Sequence, residues 1–367
     1  MGKYDAKIKE LEERISNTKY NKKTQAAIGQ YKAQIAKLKE AEESRRGTGK
    51  AGGVGTGWEV RRTGDGTVIL IGFPSAGKST LLNTLTDADS EIGAYAFTTL
   101  TCIPGVMQYK NAKIQILDVP GIVKGAASGK GRGREVLASM RSADLCIVLL
   151  DATRPQEYDV IVKEIYDTRI RLNQRRPDVK IVKTGKDGIK IGATVRLTHL
   201  DETTIKSVLK EFKINNADVV IRENITIDQF IDVIEDNKKY MPGITVINKS
   251  DLVTKTRLKQ IMKKYKADVA ISAQKKINID LLKEKIYKGL NLISTYLKEP
   301  MKPADMDVPL IMFKGCTVRD VCLKLHKDFV DKFKFARTWG KGAKFDGQKV
   351  MLKHKLKDGD VVELHLR

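Results

Sequence analysis

Gly72-Phe73-Pro74-Ser75-Ala76-Gly77-Lys78-Ser79-Thr80 carries the spacing G-x-x-x-x-G-K-S, that of a loop built to hold phosphate. Gly72 and Gly77 let the backbone turn tightly and approach a ligand with no Cβ in the way. The N–H groups of such a loop point inward at the start of a helix, where the helix dipole also favours an anion. Lys78 would reach the β- and γ-phosphates, and the Ser79 hydroxyl would bind magnesium. The competing reading is a chance glycine-rich turn. Against it, Val68 to Ile71 is an unbroken apolar run suited to a buried parallel strand, and Leu81, Leu82 and Leu85 suit the inner face of a following helix. The loop alone selects no base.

Further candidates fall at the ends of later strand-like runs. Ile103 to Tyr109 and Lys113 to Leu117 read as two strands, the second ending in Asp118-Val119-Pro120-Gly121. A carboxylate at a strand's C-terminal end beside a phosphate loop is placed to hold magnesium's water shell. Gly121 can offer its N–H to a γ-phosphate, with Val119 and Pro120 lining the turn. The loop Gly125 to Arg134, rich in glycine and basic residues, reads as a γ-phosphate-sensing switch or, in the bland reading, a surface loop. Ile244 to Ile247 leads into Asn248-Lys249-Ser250-Asp251. The two oxygens of Asp251 match the paired N1–H and N2–H donors of guanine, which adenine lacks. Asn248 can bond the base edge and hold the loop, and the Lys249 stem can lie over the base. Val269 to Ile271 ends in Ser272-Ala273, where a backbone N–H can read guanine O6. These motifs in this order point to a guanine-nucleotide domain.

Composition bounds the partners. The chain has 367 residues and a formal net charge of +23, with 68 Lys and Arg against 45 acids. That excess favours a polyanionic partner such as a nucleic acid over the alternative of an evenly paired lysine-rich surface. No apolar run reaches 18 residues and the N-terminal stretch has no apolar signal core, so the expectation is a cytoplasmic protein without a membrane partner. Four cysteines without a close pair fit a reducing interior. Cys316, Cys322 and His326 lack a fourth ligand and a C-x-x-C knuckle, so buried cysteines and a structural histidine are the better reading than a metal site.

The elements that must position these groups suggest an α/β protein with several parts. Residues 1–46 show heptad-like spacing (Tyr4, Ile8, Leu11, Ile15; Ile28, Tyr31, Ile35, Leu38) and predict a helical hairpin; 47–62 is a glycine-rich linker. A phosphate-loop GTPase domain would occupy 63–167 and 241–299, with a helix over 156–172. Residues 168–240 break the α/β rhythm and read as an inserted α+β subdomain, with strands near 179–183 and 188–192 and helices over 201–212 and 227–237. From 300 to 367, strand, helix and strands predict a small β-grasp domain.

With these residues in place the chain resembles the developmentally regulated GTP-binding protein family, among the Obg-related translation-factor GTPases. The likeness covers essentially the full length and rests on Thr63-Gly64-Asp65, Gly72 to Thr80, Tyr95-Ala96-Phe97-Thr98-Thr99-Leu100-Thr101, Asp118 to Ile122, Tyr240-Met241-Pro242 and Asn248 to Asp251. It implies a C-terminal TGS domain, an insertion like a domain of a small-subunit ribosomal protein, ribosome association, and Thr99 as the switch threonine on magnesium beside Ser79 and Asp118. A stabilising partner protein is a further candidate. Ile122 stands where Ras-type enzymes carry a water-orienting glutamine, so hydrolysis should be slow or use another element. A potassium ion is one candidate, although relatives that use one commonly carry Asn at the position of Ser75; Arg132 or Arg134 acting in cis is another. The leading reading is therefore a GTP-hydrolysing switch. The alternatives are a nucleic-acid- or ribosome-binding scaffold whose nucleotide is largely structural and, more weakly, a metabolic kinase.

Overall fold

The computed structural model describes residues 4–47, 64–86, 103–118 and 140–367. The chain divides into two units, one formed by the N-terminal segment with Arg169–Tyr240, the other by the remainder. Apart from Gly47, which ends a helix, the glycine-rich linker lies outside the described residues, as do both proposed switch segments, among them Thr99, Val119, Pro120, Gly121, Ile122, Arg132 and Arg134.

The larger unit is organised on a six-stranded sheet in the order Val269–Ala270, Gly243–Asn248, Leu145–Asp151, Gly66–Ile71, Ala112–Asp118, Ile103–Tyr109. All neighbours run parallel except the edge strand Ile103–Tyr109, which is antiparallel to Ala112–Asp118. Gly66–Ile71 and Leu145–Asp151 are buried at every position, as parallel strands covered on both faces must be. Helices Lys78–Leu85 and Ile279–Gly289 share one core cluster with Val68, Leu70 and Ile147. Helix Lys255–Tyr265 packs in another, with Ile247 and Ala270. Gly66–Ile71 is flanked by Ala112–Asp118 on one side and by Leu145–Asp151, the later strand, on the other. The chain therefore diverges at its carboxyl end and opens the crevice where open α/β sheets bind ligands.

The C-terminal sheet has the order Leu310–Phe313, Leu292–Lys298, Val361–Leu366, Phe333–Trp339, Gln348–Val350. Its strand Leu292–Lys298 begins ahead of residue 300, where the β-grasp domain was expected to start. The two cores share that strand. Leu292 and Ile311 join the nucleotide-domain cluster, while Ile293 and Met312 join the cluster around Val318, Val321, Cys322 and Phe333. Asp65 adds a polar tie between the domains. Its carboxylate accepts from the Lys113 N–H at 2.9 Å and pairs with Lys324 Nζ at 2.6 Å. Gly64 before it has φ +100°, and a Cβ there would lie 2.4 Å from the Lys113 carbonyl, so the turn requires glycine.

Cys322 is wholly buried in this core, and Cys316 is buried with its thiol pushed up to about 11 by desolvation, so it stays protonated near neutrality. His326 lies beyond helix Val318–Leu325 on extended backbone and is exposed, so it does not share a helical face with Cys322.

In the smaller unit, Ala217–Ile221 is the middle strand between Val179–Lys183 and Ile189–Ala193, antiparallel to the first and parallel to the second. Helices Glu202–Glu211 and Ile227–Glu235 cover it, started by Asp201 and by a reciprocal Thr226–Gln229 cap. The N-terminal helix Gln25–Gly47 belongs to the same core. Ala33 packs with Val208, Ile227 and Phe230, and a Cβ on Gly29 would stand 3.0 Å from Thr204. The helix expected over 156–172 stops at Asp167, and Ile170–Leu172 is a strand. Among the described residues no helix is long and apolar enough to cross a membrane.

Arg171 makes a two-pronged pair with Asp232 (Nε–Oδ2 2.6 Å, Nη2–Oδ1 2.8 Å), and both residues are at most 6% exposed. Lys238, equally buried, lies 3.7 Å from the same carboxylate. Asp232→Ala would remove the two-pronged partner of buried Arg171, while Lys238 keeps Glu235 at 2.5 Å, a loss of roughly 3–5 kcal/mol. Breaking the exposed Glu10–Arg14 pair should cost at most about 0.5 kcal/mol. Urea unfolding of the two variants checks the contrast.

Candidate nucleotide site

The loop Gly72 to Thr80 sits at the carboxyl end of Gly66–Ile71 and runs into helix Lys78–Leu85. Ser75 (φ 67°) and Gly77 (φ 91°) lie in the left-handed region, the backbone that helps turn loop N–H groups to one concave side. Gly72 is pressed against the next strand, where a Cβ would stand 2.6 Å from the Leu149 carbonyl. Lys78 Nζ donates to the carbonyls of Gly72 (3.1 Å) and Phe73 (3.2 Å), folding back over its own loop. Burial lowers its pKa, and Asp118 opposes that shift. Phe73, Pro74, Ala76 and Thr80 complete the loop, with Ala76 buried.

Strand register brings the acids to the same edge. Asp118 pairs in the sheet with Leu70, and its Oδ2 accepts from Ser79 Oγ at 3.2 Å. The residue is 5% exposed, and its Oδ1 is buried without a partner among the described residues. A buried carboxylate oxygen left over beside a serine hydroxyl is a hard-oxygen set of the kind magnesium takes, so Ser79 and Asp118 fit that ion.

Asn248 holds two loops at once. Its Nδ2 donates to the Ala76 carbonyl at 2.9 Å, and its Oδ1 accepts from the Ala273 N–H at 3.0 Å. The phosphate loop and the Ser272-Ala273 turn are thus pinned to one buried amide. Of the two N–H groups in the Ser272-Ala273 turn, that of Ala273 is held by Asn248 and that of Ser272 donates to the Ile277 carbonyl at 3.3 Å. Asp251 lies 3.1 Å from Lys275 Nζ, and hydrogen bonds from Ser272 and Lys275 hold its carboxyl below the ordinary carboxylate range. Lys249 (φ 60°) sends its ammonium to Asp151 Oδ2 at 2.7 Å, so its stem is anchored at the tip.

Two participants were not singled out from sequence. Asp151 ends its strand in register with Asn248 and accepts from the Thr153 N–H (2.8 Å), the Thr153 hydroxyl (2.6 Å) and Lys249. Burial works against its charge, but these bonds win and keep it below the usual range. An acid closing an apolar strand, as at Asp118, was the available signal. Lys275 carried none, since its place depends on the turn after Ala273.

Comparison with known proteins is decisive about kinship. Residues 67–183 match the family described as 50S ribosome-binding GTPase, 186–292 match the C-terminal region of that domain, and 302–366 match the TGS domain. The chain is 52% identical to an uncharacterized GTP-binding protein of Methanocaldococcus jannaschii, covering 99% of this chain and 93% of that one. It is 43% identical to developmentally-regulated G-protein 3 of Arabidopsis thaliana, covering 98% and 97%. The chain belongs to the developmentally regulated GTP-binding protein family. It is a GTP-binding GTPase with a C-terminal TGS domain. Among solved structures, a GTP binding protein of Pyrococcus horikoshii matches at 14% identity and a TM-score of 0.42, covering 82% of this chain and 100% of that one.

Within this GTPase the Asn248 amide is the most consequential contact to remove. Asn248→Ala leaves the Ala76 carbonyl and the Ala273 N–H unpaired, with an expected loss of about 1–3 kcal/mol per orphaned group and at least tenfold weaker GTP binding. Gly77→Ala would set a Cβ 2.3 Å from Asn248 Nδ2 on left-handed backbone, and should abolish binding. Melting curves and titration with a fluorescent GTP analogue test both; wild-type affinity in either variant would refute the linkage.

Proposed function

We propose that this GTPase is a regulatory switch that acts with ribosomes or RNA in the cytoplasm during translation, hydrolysing GTP slowly until an external element accelerates it. The observation that carries the nucleotide chemistry is the convergence of the phosphate loop, Asp118 and the base loop around Asn248. In this reading the N–H groups of Gly72 to Thr80 and Lys78 hold the phosphates. Ser79, Asp118 and Thr99 hold magnesium, which when bound offsets charge on the β- and γ-phosphate oxygens. The unpartnered Asp118 oxygen supports that assignment. Gly121 offers its N–H to the γ-phosphate between Val119-Pro120 and the switch.

Asp251 takes the guanine N1–H and N2–H, oriented by Ser272. The Ala273 N–H is shared between Asn248 and O6, and the anchored Lys249 stem packs over the base. The net charge of +23 and the ribosome-binding description of the matching family support a ribosomal or RNA partner. Ile122 supports slow intrinsic turnover, because an aliphatic side chain orients no water.

Asp251→Asn should weaken GTP binding about 100-fold or more, since one oxygen that accepts from guanine becomes a donor facing a donor. The depressed pKa of Asp251 sets the pH dependence. Its charge persists above the depressed value and is lost only as pH falls through it, so wild-type affinity should stay level down to about pH 4, the ordinary carboxylate value. A titration midpoint above that value would argue against the base-reading role. Ser79→Ala should lose the magnesium dependence of GTP affinity, measured by titration with and without chelator.

For turnover, single-cycle hydrolysis should run at or below about 10⁻³ s⁻¹ alone and rise at least tenfold with ribosomes. Parallel sodium and potassium arms test the monovalent ion. A flat rate under every addition would leave the scaffold reading in place of the switch.

A further inference from the structure

Helix Lys255–Tyr265 and the residue that ends it carry six cations, Lys255, Arg257, Lys259, Lys263, Lys264 and Lys266, and residues 255–267 contain no acid. All six are exposed, and none is in an ion pair among the described residues. Other described helices compensate their charges. Glu10 pairs with Arg14, Glu202 with Lys206 and Glu284 with Lys288, each at i,i+4. Here Lys255, Lys259 and Lys263 instead stand at i,i+4 to one another, where like charges repel and destabilise a helix. The inner face is apolar, with Leu258, Ile261, Met262 and Tyr265 packed on Ile247 and Ala270. The outer face therefore has two cationic rows, Lys255-Lys259-Lys263 and Arg257-Lys264, with neutral Thr256 and Gln260 between them.

We propose that this face binds the sugar-phosphate backbone of RNA; the inference rests on the ribosomal or RNA reading above and gives it a location. Charge complementarity argues for the occupant, because a polyanion relieves the repulsion along the helix and releases its own counterions on binding. Successive lysines in the first row rise about 6 Å along the helix axis, a spacing commensurate with successive phosphates of a strand. Lysines act here as point charges on phosphate, which positions a strand without reading its sequence. The helix is capped by Thr254, three residues after Asp251, so a strand docked on it lies at the base-reading end of the nucleotide site.

The test uses the full chain. Lys255, Lys259, Lys263 and Lys264 are replaced together by Gln, and binding of a fluorescein-labelled oligouridylate and of ribosomes is followed across salt concentrations. Four lost phosphate contacts should weaken binding about 100-fold at moderate salt and reduce the slope of log K against log salt by about 3. GTP affinity should hold, and the melting temperature should not fall. Lys259→Glu, which removes both neighbouring repulsions and stabilises the helix, should also weaken RNA binding and so separates charge from folding. A charge-matched control replaces the exposed Lys180, Lys183, Lys186 and Lys213 by Gln; an equal loss there would overturn a localised site. RNA binding that survives the quadruple variant overturns this inference alone, whereas a wild type that binds neither RNA nor ribosomes overturns the ribosomal reading with it. Loss of binding to polyglutamate with RNA binding intact would assign the face to an acidic protein and overturn the RNA site.

Discussion

A single buried amide joins the parts of the nucleotide site. Asn248 ends a central parallel strand in register with Asp151, so its backbone position is set by the sheet rather than by a loop. Its side chain then satisfies one group on each side, the Ala76 carbonyl and the Ala273 N–H. A buried amide must find partners for its oxygen and its nitrogen, and here they belong to segments almost two hundred residues apart in sequence. The phosphate loop and the base loop are consequently one mechanical element. The constraint also reaches Gly77, whose missing Cβ is the space the amide occupies.

Three acids at the strand ends of this sheet do different work, distinguished by what each carboxylate has left over. Asp65 is used up in the Lys113 turn and the Lys324 pair, and acts between the nucleotide and TGS domains. Asp151 accepts from Thr153 twice and from Lys249, so it is saturated and serves to hold the base loop. Asp118 alone of the three keeps a buried oxygen without a partner among the described residues. An oxygen in that condition is costly unless something positive comes to it, which supports the proposed role of Asp118 as the ion-facing acid.

The basic excess of the chain is not uniformly neutralised. The smaller unit sets Lys32 against Asp228 and Lys37 against Glu211, joining the N-terminal helix to the inserted helices. Its centre buries Arg171 on Asp232. Helix Lys255–Tyr265 has no such compensation, so its charge is available to a partner.

Much of this was readable from residue types and spacing. The apolar run before Gly72, the strand-final Asp118 and the order of the motifs specify a parallel α/β core, because local periodicity and glycine placement act within a few residues. Asp251 pointed to guanine for the same reason, as a carboxylate just past a strand end whose two acceptor oxygens match the paired donors of one base. Sequence did not reveal that the N-terminal helix shares a core with residues 202–235, since nothing local marks which apolar stripe meets which. Nor did it reveal that Ala217–Ile221 is the middle strand of the insertion, or that Leu292–Lys298 opens the C-terminal sheet. Pairing partners far apart in sequence decide those facts. The same holds at the site: Lys249 and Asp151, Asp251 and Lys275, and Asn248 between two loops are contacts of register and turn geometry. Residue chemistry alone determined what this protein binds; tertiary packing decided which groups are already satisfied and which remain to meet a ligand.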